Sequence, residues 1–111
     1  MFQRKYRANR EDIEKTIKNG FNIQGNFVYA KVSREKRENT TFAIIISKKT
    51  EKTSVGRHLL KRRIDSAIED YIKVKKQEIF KTIIVFPKKF ENIPKYSQIH
   101  GDIFEILSKT S

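Results

Sequence analysis

Few side chains in this 111-residue chain are able to do chemistry. There are two histidines, His58 and His100, and no cysteine. Asp65 and Glu69 stand one helical turn apart, a spacing at which two carboxylates can ligate Mg2+. Beside Lys61 and Arg62, the same spacing is that of i,i+4 ion pairs, the commoner use of helical carboxylates. No HExxH, Walker or paired-glycine motif accompanies them. His58, alone in a basic stretch, suits contact with an anion or stacking better than general-base catalysis, because no second catalytic group is spaced to work with it. The sequence therefore predicts no catalytic residue and no metal ligand. It predicts binding.

What would be bound is written in residues 47–64, SKKTEKTSVGRHLLKRRI. This stretch sets seven lysines and arginines against one glutamate. Over the whole chain, 25 Lys and Arg against 13 Asp and Glu leave a net charge of +12. A compact domain tolerates such self-repulsion when a polyanion neutralises it, nucleic acid first and an anionic membrane surface second. Solvated helix faces interleave both signs, whereas residues 47–64 are almost wholly positive and further acids follow only after Arg63, at Asp65, Glu69 and Asp70.

The elements that must position these cations follow from periodicity. Asn9 is an expected helix N-cap, with Glu11 and Asp12 complementing the dipole and Gly20 ending the helix. Ile13 and Ile17 give that helix a narrow apolar stripe. Residues 21–32 read as one strand and 41–47 as a second, the latter apolar enough for burial on both faces. Residues 54–74 form the clearest helix, N-capped by Ser54, with Leu59, Leu60, Ile64, Ala67, Ile68 and Tyr71 along one face. His58, Arg62, Asp65 and Glu69 centre the opposite side, flanked by Lys61 and Arg63. A strand over 78–86, closed by Pro87, and a helix over about 96–108, weakened by Gly101, complete the chain. The order αββαβα predicts an α+β sandwich. Lys48 and Lys49 at a strand end, the loop and the helix start then form one positive patch, to which the free N–H groups of the helix add. Phe27 and Tyr29 share one side of the first strand, opposite Val28 and Ala30. They serve either as a surface for stacking unpaired bases or as core.

At 37% apolar residues the chain suits one domain over residues 1–111 with a modest core. No apolar run approaches the roughly 20 residues of a spanning helix. The start, MFQRKYRANRED, has no apolar segment of the signal-peptide kind. A cytoplasmic protein that does not enter membranes is expected.

The block ISKKTEKTSVGRHLLKRRI resembles the signature of the bacterial ribonuclease P protein subunit. That family has a strand ending in Ser-Lys-Lys, a short loop and a helix opening Val-x-Arg-Asn-Arg-x-Lys-Arg. The resemblance extends to the element order. It implies a sandwich with a small mixed sheet and a left-handed βαβ crossover, like that of a ribosomal protein domain. It also implies a small basic protein that binds ribonuclease P RNA and the 5′ leader of precursor tRNA. The RNA would carry out the Mg2+-dependent endonucleolytic cleavage and hold most of the Mg2+. Carried over by position, RNA-binding residues fall on Lys48, Lys49, Arg57, His58, Lys61, Arg62 and Arg63. The leader cleft falls on Ile13, Ile17, Val28, Ala30, Ile45 and Ser47, with Lys49 at its end. The chain departs from the pattern at His58 and Leu59, which replace Asn and Arg. It departs again at Ile13 and Ile17, where the family usually offers phenylalanines to the leader.

Two other classes compete. A structural RNA-binding protein of the ribosomal kind would share the charge and the sandwich without a role in tRNA processing. A protein of the membrane surface would need an apolar helix face that the sheet does not cover, and the basic helix has little to spare.

Overall fold

The computed structural model describes residues 4–75 and 79–110. After one 3-10 turn at Arg4–Tyr6, the chain forms α1 (Arg10–Asn19), β1 (Phe21–Gln24), β2 (Val28–Val32) and β3 (Thr41–Ile44). Then follow α2 (Ser54–Lys75), β4 (Thr82–Pro87) and α3 (Tyr96–Ser108). The α+β class and the three helices match expectation, and local chemistry explains why. The Asn9 side chain accepts the Asp12 N–H at 2.8 Å, and the Gly20 N–H closes the other end of α1 on the Thr16 carbonyl. At the start of α3, the Gln98 amide oxygen accepts the Lys95 N–H at 3.0 Å.

One expected strand is a hairpin. Residues 21–32 break at Gly25, whose N–H donates to the Val28 carbonyl at 2.9 Å. Asp102 of α3 accepts the Val28 N–H at 3.0 Å and the Phe27 N–H as well. Glycine is needed at the turn because a Cβ on residue 25 would stand 2.7 Å from the Val28 carbonyl oxygen and 2.9 Å from the Asp102 carboxylate. The sheet therefore has four strands in the order β1-β2-β4-β3. The first two pairings are antiparallel, and β3 runs parallel to β4 with α2 as the connection. Regular strand pairing ends at Ile44 rather than 47, although the Ile45 N–H still reaches the Val85 carbonyl. The expected start of β4 at Glu78 lies outside the described residues. Pro87 is the last residue of that strand, opposite Val28.

The two faces of the sheet are covered differently. On one, Val28, Ala30, Val32, Phe42, Ile83 and Val85 pack under Leu60, Ile64 and Ile68 of α2 and Ile99, Ile103 and Leu107 of α3. On the other, Ile84 is fully buried but outside that cluster, and α1 is the helix laid against β4 and β2 there. Leu59 was expected among the apolar residues of α2, but it is 37% exposed beside the buried Leu60.

The joint between α2 and α3 uses the second histidine. His100 stacks on Phe104 with centroids 4.3 Å apart, and its Nε2 stands 3.5 Å from Asp70. The Tyr96 hydroxyl donates to Asp70 at 2.6 Å. Burial first, and then this bond and the charges of Asp70 and Glu69, push the Tyr96 hydroxyl up to about 12.

Candidate nucleic-acid interface

The basic stretch is built around the first turn of α2. Ser54 is the first helical residue and Thr53 is the cap. The Thr53 hydroxyl accepts the Gly56 N–H at 3.0 Å, and its carbonyl takes the Arg57 N–H at 3.1 Å. The Glu51 carboxylate accepts both the N–H and the hydroxyl of Thr53, at 3.1 and 3.3 Å. It lies where a Cβ on Gly56 would be, 2.6 Å from the Glu51 Cδ. Glycine at this position gives the single acid of the stretch its place. The expected set of free N–H groups is thus partly engaged by the chain's own hydroxyl and carboxylate.

Arg57 clamps the loop. Its guanidinium donates to the carbonyls of Glu51 and Lys52, at 3.1 and 2.9 Å, and to the Ser54 hydroxyl at 3.3 Å. Arg63 is likewise engaged, half-buried and donating to the Pro94 carbonyl ahead of α3. Lys48, Lys49, His58, Lys61 and Arg62 are exposed, and each makes no ion pair with a described residue. These five can meet an incoming anion without first breaking an ion pair to a described residue.

Two adjoining grooves take in His58 and Lys61 of these five. The first, about 290 Å³, has Ile44 and Ile46 with Ser54, Arg57, His58 and Lys61 around it. The second, about 220 Å³, is lined by Arg7, Ala8, Phe42 and Ala43 and by Asp65 of α2. Ile44 and Lys61 border both, so Lys61 stands where the two meet. Asp65 was expected on the solvent side of α2, yet it is only 6% exposed and belongs to this second groove. Among the described residues, no cluster of three or more histidine or acidic side chains could hold a metal ion.

The expected leader cleft needs correction. Val28 and Ala30 are fully buried on the sheet face under α2 and α3, so neither can line a cleft. Alternation places Tyr29 and Lys31 on the α1 side instead, opposite Phe86 and Ile84 in the register. Tyr29 and Phe86 stack there at 5.0 Å with rings 11° from parallel. Ile45 follows on the same side by alternation from Ala43, which pairs with Ile84. Ile13 is half-buried, Ile17 is 42% exposed and Ser47 is exposed. Phe86 was missed because aromatic alternation was weighed only within residues 21–32. The run IIVF at 83–86 carries the signal once β4 is paired with β2.

Comparison with known proteins places the chain in a family. A family model described as Ribonuclease P matches residues 2–111. The chain belongs to that family. No curated protein sequence matches it significantly. Among solved structures, the Staphylococcus aureus RNase P protein superposes with a TM-score of 0.69 at 22% identity, over 96% of this chain and 95% of that one. A mutant of the S. aureus protein with defective mRNA degradation activity reaches 0.72 at 25% identity, over 94% and 86% of the two chains. The Thermotoga maritima RNase P protein reaches 0.73 at 18% identity, over 93% and 96%. At such identities these structures speak for the fold. Membership of the Ribonuclease P family makes the chain a protein component of the ribonuclease P holoenzyme, with the ribonuclease P RNA as its partner. Its role lies in tRNA processing. Among the described residues of this family member, no helix is long and apolar enough to cross a membrane.

Proposed function

We propose that this chain grips ribonuclease P RNA through Lys48, Lys49, His58, Lys61 and Arg62, with Arg57 holding their loop in place. A second surface, under α1 on the Tyr29–Phe86 side of the sheet, receives the 5′ leader of precursor tRNA. The observation that carries this reading is a set of five exposed side chains that make no ion pair with a described residue, two of which, His58 and Lys61, line a groove beside the start of α2, in a chain of the Ribonuclease P family. Each lysine or arginine neutralises a phosphate that would otherwise repel the substrate as it meets the large RNA. Aromatic rings beside an aliphatic helix offer unpaired leader bases a stacking surface that tolerates any sequence.

Cleavage itself belongs to the RNA. Mg2+ would be held mainly by that RNA, where it would supply activation of water and charge stabilisation of the leaving oxygen. The protein's part is electrostatic and positional, in the cytoplasm where precursor tRNA is made. Reconstitution with ribonuclease P RNA at low Mg2+ tests it. Addition of the chain restores leader removal from precursor tRNA, and an unchanged cleavage rate overturns the proposal.

A further inference from the structure

A second group of cations sits at the opposite end of β3 and β4 from the start of α2. The register puts Phe21, Val32 and Ile83 in one row there, with Thr82 beginning β4. The Lys81 ammonium lies 5.4 Å from the centroid of the Phe21 ring, and the Arg34 guanidinium lies 5.8 Å from it. Two like charges are thus held within about 11 Å of each other around one ring. Neither is answered by an acid. Glu35 is paired with Arg37 at 3.5 Å, Arg37 also reaches Asp12, and no described acid pairs with Arg34 or Lys81.

The corner is built to hold this arrangement. Arg34 is anchored through Nε, which donates to the Asn19 carbonyl at the end of α1 at 2.9 Å. Its two terminal amino groups are left without a partner among the described residues, a fork matched to the oxygens of a phosphate. The segment before β3 is pinned to the start of β4. Ser33 and Thr82 exchange bonds at 2.9 and 3.0 Å, the Arg37 N–H donates to the Phe80 carbonyl at 2.6 Å, and the Thr40 hydroxyl accepts the N–H groups of both Ile79 and Phe80. Phe80 itself is held at φ 57°, a left-handed conformation costly for a bulky residue. Lys81 follows directly on this constrained residue, so its backbone is fixed when its ammonium reaches Phe21.

We infer that Arg34 and Lys81, seated on Phe21, form a second phosphodiester contact for RNA, remote from α2. The inference rests on the RNA-binding reading above. The ligand is a phosphate rather than a base because the cations occupy the ring that a base would need. RNA fits better than a small anion because the chain as a whole carries a net charge of +12 and already presents one polyanion surface. The protein would then contact RNA at two places, the length of β4 apart, which is roughly 20 Å for six residues.

The experiment uses the full chain with both positions neutralised, Arg34→Gln and Lys81→Gln, in two titrations across about 50–200 mM salt. One follows ribonuclease P RNA binding to the protein. The other follows precursor tRNA binding to the preassembled holoenzyme. In one of the two, the slope of log affinity against log salt falls by about 1.4–1.8, the share of two phosphates. The titration that responds identifies which RNA makes the contact. Arg34→Lys with Lys81→Arg keeps the slope, which separates charge from packing. Arg62→Gln is run alongside. A normal slope for the double variant with a reduced one for Arg62→Gln overturns this inference and leaves the proposed function standing. Normal slopes for both overturn the two together. Should the double variant fail to fold, Lys81→Gln alone is expected to lower the slope by about half as much, and an unchanged slope overturns the inference.

Discussion

The carboxylate of Asp102 on α3 accepts the N–H of Val28, 74 residues earlier, at 3.0 Å in the buried corner of the β1–β2 hairpin. One side chain thereby sets the turn that divides two strands. Removing it leaves the Phe27 and Val28 donors without their acceptor. Asp102→Ala should cost about 2–4 kcal/mol, the range for losing buried bonds to a charged group. Urea unfolding of the variant against the parent measures it.

Gly101, one residue earlier, makes the opposite case. It lies mid-helix in α3, exposed, and a Cβ there would meet nothing within 4 Å. Its φ is not positive, so alanine fits the backbone already present. Gly101→Ala should stabilise the fold by about 0.5–1 kcal/mol through helix propensity and a less disordered unfolded chain. A higher urea midpoint at unchanged slope is the expected readout.

RNA binding should be steep in salt. With about six phosphates neutralised, affinity for ribonuclease P RNA falls on the order of 10³-fold between 50 and 200 mM salt, by analogy with duplex DNA. Arg62→Ala weakens binding and removes about one contact from the slope, because Arg62 is exposed and has no ion pair with a described residue to lose. Arg57→Ala differs in kind. It releases the loop carbonyls as well as a charge, so its loss includes a rise in loop mobility visible by amide exchange.

The Tyr29–Phe86 stack predicts leader dependence. Tyr29→Ala should reduce the affinity of the holoenzyme for precursor tRNA carrying its 5′ leader, by about 1–3 kcal/mol if a base stacks on the ring. Binding of tRNA without a leader should stay as it was. Equal losses for the two substrates would place the leader elsewhere.

Alkaline pH tests the joint between α2 and α3. In the folded chain the Tyr96 hydroxyl is raised from 10.0 to about 12, chiefly by burial and next by its bond to Asp70. Between these values the unfolded chain binds fewer protons than the folded one, so stability falls as pH rises. The contribution is complete below about pH 10 and lost as pH passes about 12. Tyr96→Phe should flatten part of that decline, and burial of Tyr71, also raised, accounts for a further part. Thermal unfolding at stepped pH reads the difference.

What could be read from the residues alone was what depends on near neighbours. Asn9 and Gly20 bound α1, and the Tyr96–Ser108 helix needs only its own periodicity. The hairpin at Gly25 was missed because Asp102, which completes that turn, stands far along the chain. The same distance explains Val28 and Ala30. Which side of a strand faces a cleft depends on where α1 lands, and Val28, Ala30 and Val32 declare themselves core only once α2 and α3 cover them. Thr53 and Ser54 are adjacent hydroxyls of equal capping ability, and the choice between them rests on Glu51 and Arg57 holding the loop. The burial of Asp65 goes with the second groove, whose lining brings Arg7 and Phe42 from far along the chain. Arg57, Lys61 and Arg62 were placed on one helix by the sequence because the α2 periodicity needs only near neighbours.

The parallel pairing of β3 with β4 joins Thr41 to Thr82 across 41 residues, and α2 fills most of that interval. Such a loop must close before its sheet contacts reward it, so this pairing is among the slow steps of folding. The helix proposed to meet RNA is therefore the helix that connects the two strands of this pairing. An RNA that holds α2 in place binds the finished fold and not the open chain, and so withdraws the protein from unfolding by mass action. Assembly and maturation of the protein are, on this topology, a single equilibrium.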